Sequence, residues 1–371
     1  QGYILSDDNN YLAGNTTDTG SLDFRELGVN ATAQVTDRLR VGAQLYGRKL
    51  GELESAEVDW AYADYRAADA IGFRAGIIKT PRGLYNELQD LDLATSTVLL
   101  PQSVYDLRLR DFQVSAHGGQ IYGSIPAGRL GSVDYSLYGG DRHMEADGSV
   151  AGFWEQGLFA FDFQADRSSL NWTVGGQAMW NTPLDGLRLG FSYVYYDELS
   201  VEGTVLGSRI NPAFGASRFA TSGVIEGLTS YVLSAEYLFG DLRFASEYTR
   251  WTSDLSGEIT GVPLLGTIPL PGNAYQPEGW YGQMAWQATD SLELSGTVSL
   301  YWADSDNHST SDPASYQHDY SLAAKYGITD NWIAKAEVHY LRGHGLMFAA
   351  DNPDGFDSTD VMLAAKTTIS F

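Results

Sequence analysis

The chain has 371 residues, with 23 Lys and Arg against 47 Asp and Glu, a formal net charge of −24 and no cysteine. That balance excludes a basic nucleic-acid footprint and a polybasic lipid anchor. The missing thiols exclude thiolate metal sites, disulfides and cysteine nucleophiles. There are 41 Gly and 23 Tyr but only 11 Pro, which suits long strands, because Pro removes ladder donors. The start, QGYILSDDNN, lacks a basic stretch leading into an apolar core, so the chain is read as already processed. The longest uncharged run, Ile259 to Pro277, holds four prolines and three glycines and reads as a loop, not as a membrane helix of about 20 residues.

Period-2 alternation recurs along almost the whole length. The strands expected in chain order are about 23–35, 39–49, 56–66, 71–79, 112–123, 131–141, 168–181, 187–198, 227–239, 242–252, 278–288, 292–303, 317–328, 332–342 and 359–371. Leu292, Leu294, Val298, Leu300 and Trp302 share one face, for example, opposite Glu293, Ser295, Thr297, Ser299 and Tyr301. Such strands exceed the usual soluble length of about 5–6 residues and match the roughly 9–11 of a tilted membrane strand. Tight turns (36–38, 67–70, 240–241, 289–291, 329–331) alternate with long connections (80–111, 143–167, 200–223, 253–276, 305–315, 343–358). This is the pattern of an outer-membrane barrel with short periplasmic turns and long external loops. A last strand descending to Phe371 requires an ascending one at the start, for which residues 1–15 are the candidate. The expectation is an all-β transmembrane antiparallel barrel of sixteen strands, with fourteen or eighteen as alternatives, forming one domain over residues 1–371. Trp60, Trp172, Trp180, Trp251, Trp280, Trp286, Trp302 and Trp332 are expected in an aromatic girdle near strand ends.

In a membrane barrel the apolar face meets lipid and the polar face lines water. Parity therefore points Arg40, Gln44, Tyr46, Arg48, Glu57, Asp59, Arg74, Asp134, Arg188, Glu236, Arg243, Glu247, Glu293, Asp319, Lys325, Lys335, Glu337, His339 and Lys366 inward. Of these, Arg40, Arg48, Glu57, Asp59, Arg74, Arg188, Arg243, Lys325, Lys335, Glu337 and Lys366 are the pore-lining candidates. In hydrocarbon, an Arg or Lys among them would cost about 2–4 kcal/mol near the midplane.

The connection after Ile78, IKTPRGLYNELQDLDLATSTVLLPQSVYDLRLRD, is too apolar for a solvated loop. Leu84, Leu88, Leu91, Leu93, Val98, Leu99, Leu100 and Val104 need cover, which a loop folded into the barrel obtains. Residues 80–111 are thus the expected constriction loop, with Lys79, Arg82, Glu87, Asp90, Asp92, Arg108 and Arg110 as the candidate charges setting size limit and charge preference; Asp106 and Asp111 are its remaining charges.

The segments RAGIIKTPRGLYNE and LLPQSVYD and the terminal Phe371 resemble the proteobacterial porins, closest to the branch with phosphate-selective and dicarboxylate-type channels. There a strand ending in G-x-x-K/R-x-P-x-G-L-Y/E runs into the constriction loop. The specific motifs cover residues 74–111. The resemblance implies sixteen strands, a homotrimer and passive diffusion, and it carries Lys79, Arg82, Glu87 and Asp90 over as constriction positions. The chain departs from phosphate-selective members in lacking a clear ladder of lumenal Arg and Lys.

Catalysis is not expected. No G-x-S-x-G elbow, H-E-x-x-H, Walker or dinucleotide motif occurs, and Glu337 with His339 reads as pore wall. No cofactor is expected. The acidic loops 303–312 and 351–360 offer oxygen ligands of the kind calcium takes but lack EF-hand spacing, so ordinary acidic loops are preferred. The functional expectation is an outer-membrane diffusion porin for small hydrophilic solutes, surrounded by outer-membrane lipid and lipopolysaccharide. The alternatives are a channel for hydrophobic substrates, a barrel hydrolase and a structural barrel with a closed lumen. The −24 charge favours cations near the mouths.

Overall fold

The computed structural model describes every residue except 13–15, 18, 51–52, 147, 273 and 350. Its strands are β1 (Gly2–Ser6), β2 (Ser21–Gln34), β3 (Leu39–Leu50), β4 (Leu53–Ala68), β5 (Ile71–Lys79), β6 (Ser115–Pro126), β7 (Ser132–Asp141), β8 (Gln164–Leu170 and Thr173–Asn181), β9 (Leu187–Leu206), β10 (Arg218–Phe239), β11 (Leu242–Val262), β12 (Gly266–Leu270, Ala274–Tyr275 and Glu278–Thr289), β13 (Leu292–Trp302), β14 (Tyr316–Thr329), β15 (Trp332–Arg342) and β16 (Thr359–Ile369). Each pairs antiparallel with its sequence neighbours. The two parts of β8 share the partner β9, and the three parts of β12 share β11. β1 closes the ring, pairing with β16 from Gly2↔Lys366 to Ser6↔Met362 and with β2 at Gly2↔Phe24 and Ile4↔Ser21. The result is a closed sixteen-stranded antiparallel barrel, which leaves no edge on the ring as a whole.

Burial is inverted relative to a water-soluble protein. Leu27, Leu45, Leu137, Leu233 and Leu322 are exposed on the outside, Leu27 at 70%, whereas Gln44, Arg48, Asp59, Glu247, Lys335 and Glu337 are buried inside. Only an apolar surrounding makes such an outer face favourable. Trp180, Trp286 and Trp332 stand on the outer face toward the short-turn rim, with Trp172 and Trp280 toward the long-loop rim. Trp251 departs from the expected girdle: it is buried inside, with the Arg82 guanidinium 5.1 Å from its ring. Trp60 also departs. A bulge skips Asp59 in the β3–β4 register, so Trp60 lies opposite the inward Gln44, its ring 5.2 Å from Tyr62.

Three strand assignments differ from expectation. β1 stops at Ser6, not near residue 15, because the Asp360 carboxylate captures the backbone N–H groups of Asp7, Asp8 and Asn9 and turns the chain; Asn15 itself lies outside the described residues. The connections expected at 200–223 and 253–276 are mostly strand, since β9, β10 and β11 run on beyond the rim. There the polarity flips back. The β9–β10 ladder is interrupted, with no change of register, where Asp197 faces Gly227, the latter at φ +57, and past this break Leu199, Val201, Val205 and Ile225 point inward while Glu202 and Glu226 point out. Clear of lipid, the sheet needs an apolar interior, and it obtains one by packing on the helix Ser149–Gly157, whose Trp154 fills the space over Gly223. The proline-rich run at 259–277 is likewise no open loop but a β11–β12 hairpin turning at Leu264.

Between β5 and β6 the wall changes. β4 pairs with β3 up to Leu50↔Leu53 but with β5 only up to Ala61↔Ile77. Beyond that point β5 leads into the chain segment 80–114, which folds inside the barrel.

Candidate functional site: a loop across the lumen

Segment 80–114 is built from short turns, Asn86–Leu88, Asp92–Ala94 and Leu107–Leu109, followed by the short helix Arg110–Gln113. Its base is tied by Asn86, whose Nδ2 donates to the carbonyls of Thr80 (2.9 Å) and Gln113 (3.1 Å). Gly83 adopts φ +59, and a Cβ there would lie 2.6 Å from Glu247 Oε1. Only glycine lets the chain turn so closely against the wall and aim the Leu84 N–H at Glu247, 2.8 Å away. The local T-P-R-G-L-Y sequence thus ends the strand and turns it inward.

The loop does not lie along one wall. Starting from β3, Arg48 donates to the Leu107 carbonyl (3.1 Å). On β4, Asp59 holds Arg110 (2.9 Å) and Lys79 (3.2 Å). Gln177 of β8 donates to Gly83 O (2.7 Å), and Ser192 of β9 accepts from Gly83 N (3.0 Å). Arg82 reaches Thr249 of β11 (3.1 Å). Ser103 donates to Trp280 O of β12 (3.1 Å) and pairs with Ser299 of β13 (2.8 Å). Lys325 of β14 donates to Leu93 O (3.2 Å), and Lys335 of β15 to Thr97 O (2.8 Å). Glu337 accepts from Val98 N (2.6 Å) and Leu99 N (3.2 Å), and Asp92 pairs with Lys366 and Thr368 of β16 (each 2.7 Å). Val98 and Leu99 pack on inward Ile4, Phe24, Leu50, Leu341 and Met362, while Val104 and Tyr105 pack on Val232 and Tyr281. The loop therefore spans the interior, with a lower lumen on the turn side and a chamber on the loop side.

The expected constriction charges are all at loop level, and the side chains of Lys79, Arg82, Asp90, Asp92, Arg108 and Arg110 are each engaged. Lys79 pairs with Asp59 and Asp90, Arg110 with Asp59 and, at 3.7 Å, Glu57. Arg82 is 3% exposed and serves as an anchor between Val104 O and Thr249. Arg108 is bidentate on Asp106, its Nε 2.8 Å from Oδ1. Lys79 also donates to the Glu87 carbonyl (3.2 Å). Asp111 forms part of the short helix and carries no side-chain description.

The expected lining residues face inward at three heights. Below the loop, Asp64 bridges Arg40 (3.0 Å) and Arg74 (3.2 Å), Arg188 pairs with Glu236 (2.7 Å), and Glu293 lies between Lys325 (3.6 Å) and Arg243 (3.9 Å). At loop level sit Asp59, Lys335, Glu337 and Lys366. Arg48 and Glu57 face the chamber, where Glu57 also pairs with Arg142. Sequence reading missed Asp64 and Arg142, because the Asp59 bulge shifts parity along β4 and Arg142 falls just beyond β7.

The chamber has a volume of about 1480 Å³. Its floor is the loop segment 102–109. Its roof is the helix Ser149–Gly157 and the connection after β15, tied together by Ala349 N donating to Gln156 Oε1 (2.9 Å).

No protein-family model matches the sequence, and no curated protein matches it. Solved structures do match over the full length. The anion-selective porin from Comamonas acidovorans is 12% identical with a TM-score of 0.55, covering 100% of this chain and 96% of that one. OmpT of Vibrio cholerae, expressed in the outer membrane, is 11% identical with a TM-score of 0.55 over 100% and 95%. Salmonella typhi OmpF, in complex with daunomycin, is 9% identical with a TM-score of 0.55 over 99% and 95%. At these identities the shared property is the fold: a porin-type barrel.

Proposed function

We propose that the protein is an outer-membrane porin, a passive channel for small hydrophilic solutes with segment 80–114 as its size-limiting element. The observation that carries this reading is the inverted barrel, apolar outside and charged within, with a loop fixed across its lumen. The short-turn rim is then periplasmic, and the long connections face outward among outer-membrane lipid and lipopolysaccharide. The structural likeness to porins supports this reading, and the phosphate and dicarboxylate branch adds nothing to it. Catalysis is not part of it: both ring nitrogens of His339 are taken by carboxylates, Asp319 at 2.9 Å and Glu337 at 3.0 Å.

The resemblance to porins suggests a homotrimer, and one outer face suits it. Ala31, Ala33, Ala43, Ala61, Ala63 and Ala75 form a shallow patch on β2–β5, where a second barrel approaches without displacing bulky side chains. For selectivity, acidic outer loops concentrate cations, while the belt below the loop holds both signs. The expected result is a modest cation preference that fades as salt screens it.

Planar-bilayer recording of the full chain tests the proposal. Stepwise conductance, in groups of three, with a reversal potential that collapses from low to high salt is expected. A silent bilayer removes the channel reading, steps that never group remove the trimer, and anion selectivity at low salt removes the charge argument.

A further inference from the structure

We infer that the channel rectifies, passing more current when its loop side is positive than when that side is negative. The inference rests on the channel reading and deepens it, and a barrel that conducts equally in both directions defeats this inference alone.

Charge is spread unevenly along the barrel axis. Above the inner loop lie residues 7–25, 48–57, 141–167, 197–226, 250–278, 302–316 and 342–360. Among the described residues these carry 24 carboxylates against 9 Lys and Arg, an excess of 15. Between the inner loop and the short turns lie residues 37–40, 64–74, 129–134, 185–188, 236–243, 290–293 and 325–330. These carry 10 carboxylates against 8 Lys and Arg, an excess of 2. Inside the lumen the lower charges are also matched in place, as Arg40–Asp64–Arg74, Arg188–Glu236 and Arg243–Glu293–Lys325. Opposite charges that close cancel each other's field over a short distance.

The chamber brings the upper excess beside the path of ions. Eight carboxylates and four arginines line its volume of about 1480 Å³. Lys49 reaches Glu54 from outside the lining (3.6 Å) and Arg218 reaches Asp162 (3.8 Å), so an excess of two carboxylates remains. Counter-ions for two charges in that volume amount to a cation concentration on the order of 1 M. The inner loop therefore divides a cation-filled compartment from one whose ions follow the bath.

Such a division makes conduction depend on polarity. With the loop side positive, cations leave the chamber toward the inner loop, and anions rise from the turn side until the acidic chamber holds them back. Both kinds of ion accumulate at the narrowest level, and conductance rises. With the loop side negative, the chamber has few anions to send down, and the turn side supplies cations only at bath concentration. The narrowest level is then depleted, and conductance falls. Screening sets the range: the Debye length is about 30 Å at 0.01 M salt, longer than the roughly 25 Å apolar band of a barrel, and about 3 Å at 1 M.

Single-channel recording of the full chain in KCl tests the inference. At about 0.01 M the current is expected to be roughly 1.5-fold larger or more with the loop side positive, and in about 1 M KCl the two polarities agree. The chain has no cysteine, so Glu145→Cys places a single thiol in the chamber, at a side chain 73% exposed. A positively charged methanethiosulfonate lowers the current ratio, and a negatively charged one, applied to a separate channel, returns it to the parent value. The bath from which the reagent acts faster identifies the loop side. Leu264→Ser, at an exposed hairpin tip, leaves the ratio unchanged. Equal currents in dilute salt, a larger current with the loop side negative, or a ratio indifferent to the sign of the attached group overturns rectification in a barrel that conducts. A silent bilayer removes the channel reading and this inference with it.

Discussion

Removal of the Glu247 carboxylate isolates how the inner loop is held. Glu247 is 1% exposed on the inner face of β11. It accepts from Leu84 N (2.8 Å), from Tyr105 Oη, from Tyr281 Oη (2.7 Å) and from Ser234 Oγ (2.6 Å). The first two bonds tie the loop to the wall, and the last two stay within the wall. Hydrogen bonds to a charged group contribute about 1.5–3 kcal/mol each, so Glu247→Ala costs loop docking roughly 3–6 kcal/mol. Water entering the space offsets part of this, and about 3 kcal/mol remains. At about 1.4 kcal/mol per tenfold, the amides of Leu84 and Tyr85 then exchange roughly 100-fold faster. The barrel ladders are untouched, so heat-resistant migration on gels is unchanged while single-channel noise rises. Hydrogen exchange read by mass spectrometry on a peptide spanning residues 82–88 measures the effect. A change below about threefold would refute the clamp, and equal loosening of β10 and β11 would show that Glu247 supports the wall instead.

Three further outcomes follow from the same reasoning. Leu322→Arg places a cation on the outer face of β14, where Leu322 is 67% exposed, and folding into vesicles weakens by about 2–4 kcal/mol in a urea titration; Thr32→Arg, on the inner face of β2 near the rim, costs far less. Asp360→Ala removes the acceptor for three successive N–H groups at 3.0, 3.1 and 3.1 Å, so residues 7–10 become protease-sensitive while β1 stays paired. His344 stacks on Phe356 with ring centroids 4.2 Å apart, and burial holds its pKa below the ordinary 6.5. The unfolded loop therefore takes the proton first. The docking of this loop is fully present above pH 6.5 and weakens as pH falls through the window below it. Protection factors around 344–347 fall from about pH 7.5 to 5.5 in the parent chain and stay level in His344→Phe.

The sequence by itself determined the barrel, because lipid imposes one rule on every membrane strand: apolar out, polar in, period two. That rule exposed the strands, their number and the inward parity of Arg40, Arg188, Lys335 and Lys366 without any knowledge of partners. It also marked segment 80–111 as too apolar to face water. Tertiary structure decided what the rule does not reach. Where β9 and β10 leave the lipid, the ladder break at Asp197 and Gly227 accompanies an inverted pattern, so strand there reads as loop. At Asp59 a single skipped residue turns Trp60 inward and brings Asp64 between Arg40 and Arg74. The course of the inner loop rests on partners as far as 276 positions away in sequence, such as Asp92 and Thr368. No local period encodes contacts of that kind, so the loop's span across the lumen, and the chamber it closes from below, exist only once the ring has formed.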